Sequence, residues 1–120
     1  MIEKNKNAGI KTTDFASVVI ANNEISGNYG QGILLVESTY AHIEKNIIKM
    51  NYKANIAFGG DQSCDTIILN NEISEGRAEG IFGIETGFAW IFRNKIFNNS
   101  DGIVLFDSTT YISENQINEN

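Results

Sequence analysis

The chain has 120 residues, enough for one domain with its own core, and a net charge of −6 with nine Lys and Arg residues scattered along it. That distribution excludes a non-specific nucleic-acid binder, and no apolar run approaches the roughly 18 residues that a membrane span needs. A single cysteine, Cys64, excludes an internal disulfide, and Met1-Ile2-Glu3-Lys4-Asn5 does not read as a secretion signal, so the expected compartment is the cytoplasm.

From the N-terminus, Ile2, Asn5 and Gly9-Ile10 begin a pattern that every later segment repeats. The second copy runs through Ile20, Asn23-Glu24-Ile25, Asn28 and Gly32-Ile33. The third has Ile43, Asn46-Ile47-Ile48, Asn51 and Asn55-Ile56, and the fourth Ile68, Asn71-Glu72-Ile73, Gly76 and Gly80-Ile81. Ile91, Asn94-Lys95-Ile96, Asn99 and Gly102-Ile103 make the fifth; Ile112, Asn115-Gln116-Ile117 and Asn120 end the series. Successive Asn-x-Ile triplets lie 23, 25, 23 and 21 residues apart, a period that signals stacked coils.

Within each copy apolar residues recur at two-residue steps, and Gly, Asn, Ser and Asp gather between them, which predicts short strands. The alternation sends Ile33 and Leu35 inward and Leu34 and Val36 outward, and likewise turns Ala41 and Ile43 toward the core. The expected architecture is all-β: a parallel coil forming one domain over 1–120, with about five rungs of 21–25 residues and three strands per rung. Rungs stacked at about 4.7–4.9 Å would align the Ile columns into one core roughly 25 Å long. The copies at both ends are unfinished, so the chain reads as a segment of a longer solenoid or one whose ends another chain covers, with end-to-end stacking expected.

Two columns of asparagine recur at the turns: Asn23, Asn46, Asn71, Asn94 and Asn115, and Asn28, Asn51 and Asn99 with Gly76 between the last two. A stacked amide can donate to one rung and accept from the next, which makes these ladders structural. Gly76 fits the same reading if the turn needs a left-handed residue. A solvent-facing polar stripe that reads a ligand is the alternative.

With these columns, the chain resembles the right-handed parallel β-helix repeats of the pectate-lyase-like superfamily. The Asn-x-Ile, Gly-Ile type is similar to carbohydrate-binding and sugar-hydrolase-like domains. Asn23-Glu24-Ile25-Ser26-Gly27-Asn28 and Asn94-Lys95-Ile96-Phe97-Asn98-Asn99 also resemble the β-helices of F-box ubiquitin-ligase adaptors and Shc-binding proteins. The resemblance implies a right-handed solenoid, and either a protein-docking scaffold or a carbohydrate-active protein.

Catalytic arrangements find few residues to use. His42 is the only histidine, and it shares an outward column with Val19, Ile67, Trp90 and Tyr111. A nucleophile triad or a transition-metal site would both need more, so no enzyme activity, cofactor or metal is expected. One acidic column, Asp14, Glu37, Asp61, Glu85 and Asp107, follows the Gly-Ile landmarks; a solvated turn, a basic partner or calcium would each relieve its repulsion.

The outward positions of the Gly-Ile strand are mostly apolar: Leu34, Val36, Phe82, Ile84, Val104 and Phe106. The next strand adds Trp90, Phe92 and Tyr111. A contiguous face of this kind implies a covering partner: a segment of the same protein, a second copy or a different protein. Sugar rings stacked on the aromatic side chains are the remaining possibility.

Overall fold

The computed structural model describes residues 1–37, 40–60 and 64–120, and every regular element among them is a β-strand. β1 (Ile2–Glu3), β2 (Ile10–Thr12) and β3 (Ser17–Ala21) make the first rung. β4 (Glu24–Ser26), β5 (Ile33–Val36) and β6 (Tyr40–Glu44) make the second, and β7 (Ile47–Lys49), β8 (Ile56–Gly59) and β9 (Thr66–Leu69) the third. In the fourth and fifth rungs β10 (Glu72–Ser74) and β12 (Lys95–Phe97) are each followed by one long strand, β11 (Glu79–Phe92) and β13 (Asp101–Ser113), before the closing β14 (Gln116–Asn118). All pairings are parallel.

The strands stack into three walls. The Asn-x-Ile wall is β1-β4-β7-β10-β12-β14. The Gly-Ile wall runs through β2, β5 and β8 into the first halves of β11 and β13; the third wall runs through β3, β6 and β9 into their second halves. The expected three strands per rung therefore hold for the first three rungs. In the last two rungs pairing continues through the corner between the second and third walls, with a register shift between Thr86 and Phe88.

Each wall contributes one isoleucine per rung to the core, and the partners are in register: Ile25 with Ile48, Ile33 with Ile56, Ile43 with Ile68. Ile25, Ile33, Ile43, Ile48, Ile56, Ile68, Ile73, Ile81, Ile91 and Ile96 are fully buried. Truncating any of them to alanine should cost about 2–5 kcal/mol, because rungs held by neighbours above and below collapse poorly around a void.

Corners are made by residues in the left-handed region. The residue before each ladder position, such as Lys45, Asn70 and Arg93 in one column or Met50, Glu75 and Asn98 in the other, has φ between 53° and 62°. The asparagines of the two columns are not left-handed themselves, and neither is Gly76, so the expectation that Gly76 serves a left-handed turn is wrong. What the asparagines do is bond across rungs. Asn71 Nδ2 donates to Asn94 Oδ1 at 3.1 Å and to the Ile43 carbonyl at 2.9 Å, while its Oδ1 accepts from the backbone N–H and Nδ2 of Asn46. Asn46 and Asn94 repeat the arrangement. With these amides at most 2% exposed, each ladder position satisfies polar groups that would cost about 1–3 kcal/mol if left unpaired.

Gly76 interrupts the second ladder, and Asn55 repairs it. Asn51 Nδ2 donates to Asn55 Oδ1 at 2.7 Å, and Asn55 Nδ2 donates to Asn99 Oδ1 at 2.9 Å and to the Ser74 carbonyl at 3.0 Å. Asn55 stands where the other rungs have Gly9, Gly32, Gly80 and Gly102. Those glycines are needed because a ladder amide fills the space: a β-carbon at Gly32 would lie 2.7 Å from Asn51 Nδ2. A β-carbon at Gly76 would in turn lie 2.8 Å from Asn55 Nδ2. The two positions have exchanged residues and kept one continuous chain of amides.

The core contains an apolar counterpart of this exchange. Phe58 is 2% exposed, and a β-carbon on Gly83, its partner in the next rung, would lie 2.8 Å from the Phe58 ring. Cys64 also belongs to this core: it is fully buried, with Sγ 3.8 Å from Thr66 Oγ1.

Candidate interaction surface

Alternation along the Gly-Ile wall leaves its outward side chains in register, so Leu34, Ala57, Phe82 and Val104 form one column and Val36, Gly59, Ile84 and Phe106 the next. Ala57 and Gly59 are small and buried, whereas Ile84 is 40% and Phe106 53% exposed. The third rung is therefore a dip between two higher ones. Gly59 is required there, because a β-carbon would run into the Ile84 carbonyl.

The dip is part of a trough. A recess of about 250 Å³ lies over Ala57 and Gly59 between Leu34 and Phe82; a second, of about 270 Å³, joins it through Gln31, Ala57 and Phe82. A third, of about 430 Å³, continues past Leu34 and Gln31 to Lys6 and Lys11 in the first rung. Lys53 lines both of the latter two.

One rim of the trough is a stacked column of the residues that follow the second-ladder asparagines. Tyr29 and Tyr52 stack with centroids 5.0 Å apart, and the Arg77 guanidinium lies 4.0 Å from the centre of the Tyr52 ring. Tyr52 is thus sandwiched between the rungs before and after it. Sequence reasoning passed over this column, and over Lys6 and Lys53, yet the signal was present: Tyr29, Tyr52 and Arg77 share one repeat position.

On the third wall, Trp90 and Tyr111 pair in register, as expected, with Phe92 one step further along. Phe88, which was not among the expected residues, stacks on Trp90 with centroids 5.4 Å apart and an interplanar angle of 23°. On the Gly-Ile wall, Phe82 and Phe106 meet at 6.2 Å in a tilted arrangement. The aromatic rings pack on one another rather than standing apart.

His42 faces outward in the expected column, partly covered, with Nε2 3.4 Å from Glu44 Oε2. Among the described residues no three His, Cys, Asp or Glu side chains come together in a group that could hold a metal ion. Asp14, Glu37, Glu85 and Asp107 are exposed, and each is left-handed, with φ of 58°, 56°, 49° and 49°. Asp61 lies outside the described residues. Gly60, in the same column, has φ 92°. The column is a corner of the coil, so Glu85→Gly should leave stability equal or raise it by up to about 1 kcal/mol, whereas Glu85→Val should lower it by about 1–2 kcal/mol. Urea titration of the two variants checks this.

Three parallel walls, isoleucine columns and buried amide ladders define a parallel β-solenoid. The family described as right handed beta helix region matches residues 1–120, the whole chain. The chain belongs to the right-handed β-helix family. No curated protein and no solved structure gives a significant match.

Proposed function

We propose that this β-helix is a non-catalytic recognition module that docks a protein partner on the outer face of its Gly-Ile wall. The observation that carries the reading is the trough over Ala57 and Gly59, walled by Leu34 and Val36 on one side and Phe82 and Ile84 on the other. Contiguous apolar relief on a surface rimmed by polar residues is characteristic of protein interfaces. The Phe82–Phe106 and Phe88–Trp90 contacts extend that relief sideways, and Val104 and Tyr111 continue it into the fifth rung.

Carbohydrate binding is the second reading, favoured by the exposed ring of Tyr111, 64% accessible. Sugar platforms need flat, free ring faces, and Tyr52, Phe88 and Trp90 use theirs on neighbours. Arg93 is likewise engaged, 2.7 Å from Glu114, and Arg77 lies on Tyr52, which takes both arginines away from an acid–base constellation. Replacing Phe82 and Phe106 with serine should leave the melting temperature close to that of the parent and abolish association with any protein that a pull-down recovers with the parent, or with a second copy of the chain. Unchanged association would sink the reading, and a hit on a glycan array with release of reducing sugar would replace it with the second.

A further inference from the structure

Resting on that reading, we infer that the trough takes an extended peptide segment carrying carboxylates at one end and an apolar side chain at the other. The charge distribution gives the polarity. Of the nine Lys and Arg residues in this acidic chain, Lys4, Lys45, Lys49 and Arg93 lie within 3.6 Å of carboxylates. Lys6, Lys11 and Lys53 line one end of the trough, are exposed, and pair with no carboxylate among the described residues. No acidic side chain lines that end. Glu79 lines the second recess with Phe82 and Lys53, away from Lys6 and Lys11, which disfavours a ligand that is anionic throughout.

Shape sets the length. The trough crosses the first four rungs, three spacings of about 4.8 Å, or roughly 14 Å, which is about four residues of extended chain. Carboxylates over Lys6, Lys11 and Lys53 place a following apolar side chain over Ala57, between Leu34 and Phe82. Gln31, which lines all three recesses, lies midway and offers an amide to the peptide backbone.

Fluorescence anisotropy with the full chain tests this, using an acetylated, dye-labelled hexapeptide of three glutamates followed by three leucines. Binding is expected to weaken with added salt, and to weaken at least about tenfold when Lys6, Lys11 and Lys53 are all changed to glutamate. These lysines are exposed, so an unchanged melting temperature should accompany the loss. Peptides with lysine in place of glutamate, or serine in place of leucine, should bind about tenfold more weakly or worse. Binding that survives the triple change, or equal binding of the glutamate–serine peptide or of an oligogalacturonate, overturns the inference. Absence of hexapeptide binding, while the Phe82→Ser/Phe106→Ser change still abolishes an association that the parent makes, overturns the inference and leaves the docking face standing.

Discussion

Asn55→Gly combined with Gly76→Asn should give a protein about as stable as the parent, although each change alone should be costly. Asn55→Gly leaves Asn99 Oδ1 with only the Gly76 N–H, and leaves Asn51 Nδ2 with only the long 3.5 Å bond to the Ile25 carbonyl. Two poorly satisfied groups in a buried site should cost about 2–4 kcal/mol, a drop of about 10 °C in melting temperature for a domain of this size. Gly76→Asn alone forces a second amide into the space that Asn55 already fills, at a cost of about 1–3 kcal/mol. Together they recreate the glycine-and-asparagine pair seen at Gly32 with Asn51 and at Gly80 with Asn99. A double-mutant cycle by thermal or urea unfolding should therefore return a coupling energy of about 3 kcal/mol or more. Additive losses would mean that the side chain of Asn55 does not substitute for a ladder position.

The second large effect is expected at Phe58. Its ring fills the volume that Gly83 leaves in the next rung, so Phe58→Ala should cost about 3–5 kcal/mol. Gly83→Leu in the parent should overpack the core by about 1–3 kcal/mol, because its β-carbon already meets the Phe58 ring and the Leu105 side chain. Placed on Phe58→Ala, the same change should recover part of the loss. Urea midpoints of the four proteins measure both effects.

The fold was legible in the sequence because one rung repeats the next. Isoleucine at three fixed positions and asparagine at two state the walls, the core and the ladders directly, and the burial of Ile48, Ile73 and Asn71 follows from position in the repeat. What the repeat did not reveal were relations between different columns in adjacent rungs. Asn55 and Gly76 are separate departures from the pattern until stacking places one over the other, and the same holds for Phe58 and Gly83. The outward apolar columns were legible by alternation. Their relief was not, since the depth of the trough depends on Ala57 and Gly59 being small between larger neighbours. The lysine end escaped notice because Lys6 and Lys11 come from the first rung and Lys53 from the third, far apart along the chain.

The division between columns that fold the chain and outward residues proposed to bind is tested most directly by amide chemical-shift mapping of the full chain, titrated with a protein that a pull-down shows to bind it. Shifts should concentrate on the Gly-Ile wall, at Leu34, Ala57, Phe82, Ile84 and Phe106 and at the lysine end of the trough, with little change along the Asn-x-Ile wall. Shifts centred on Glu24, Glu72 and Lys95 of that other wall, or on the corner formed by Asp14, Glu37 and Asp107, would contradict it.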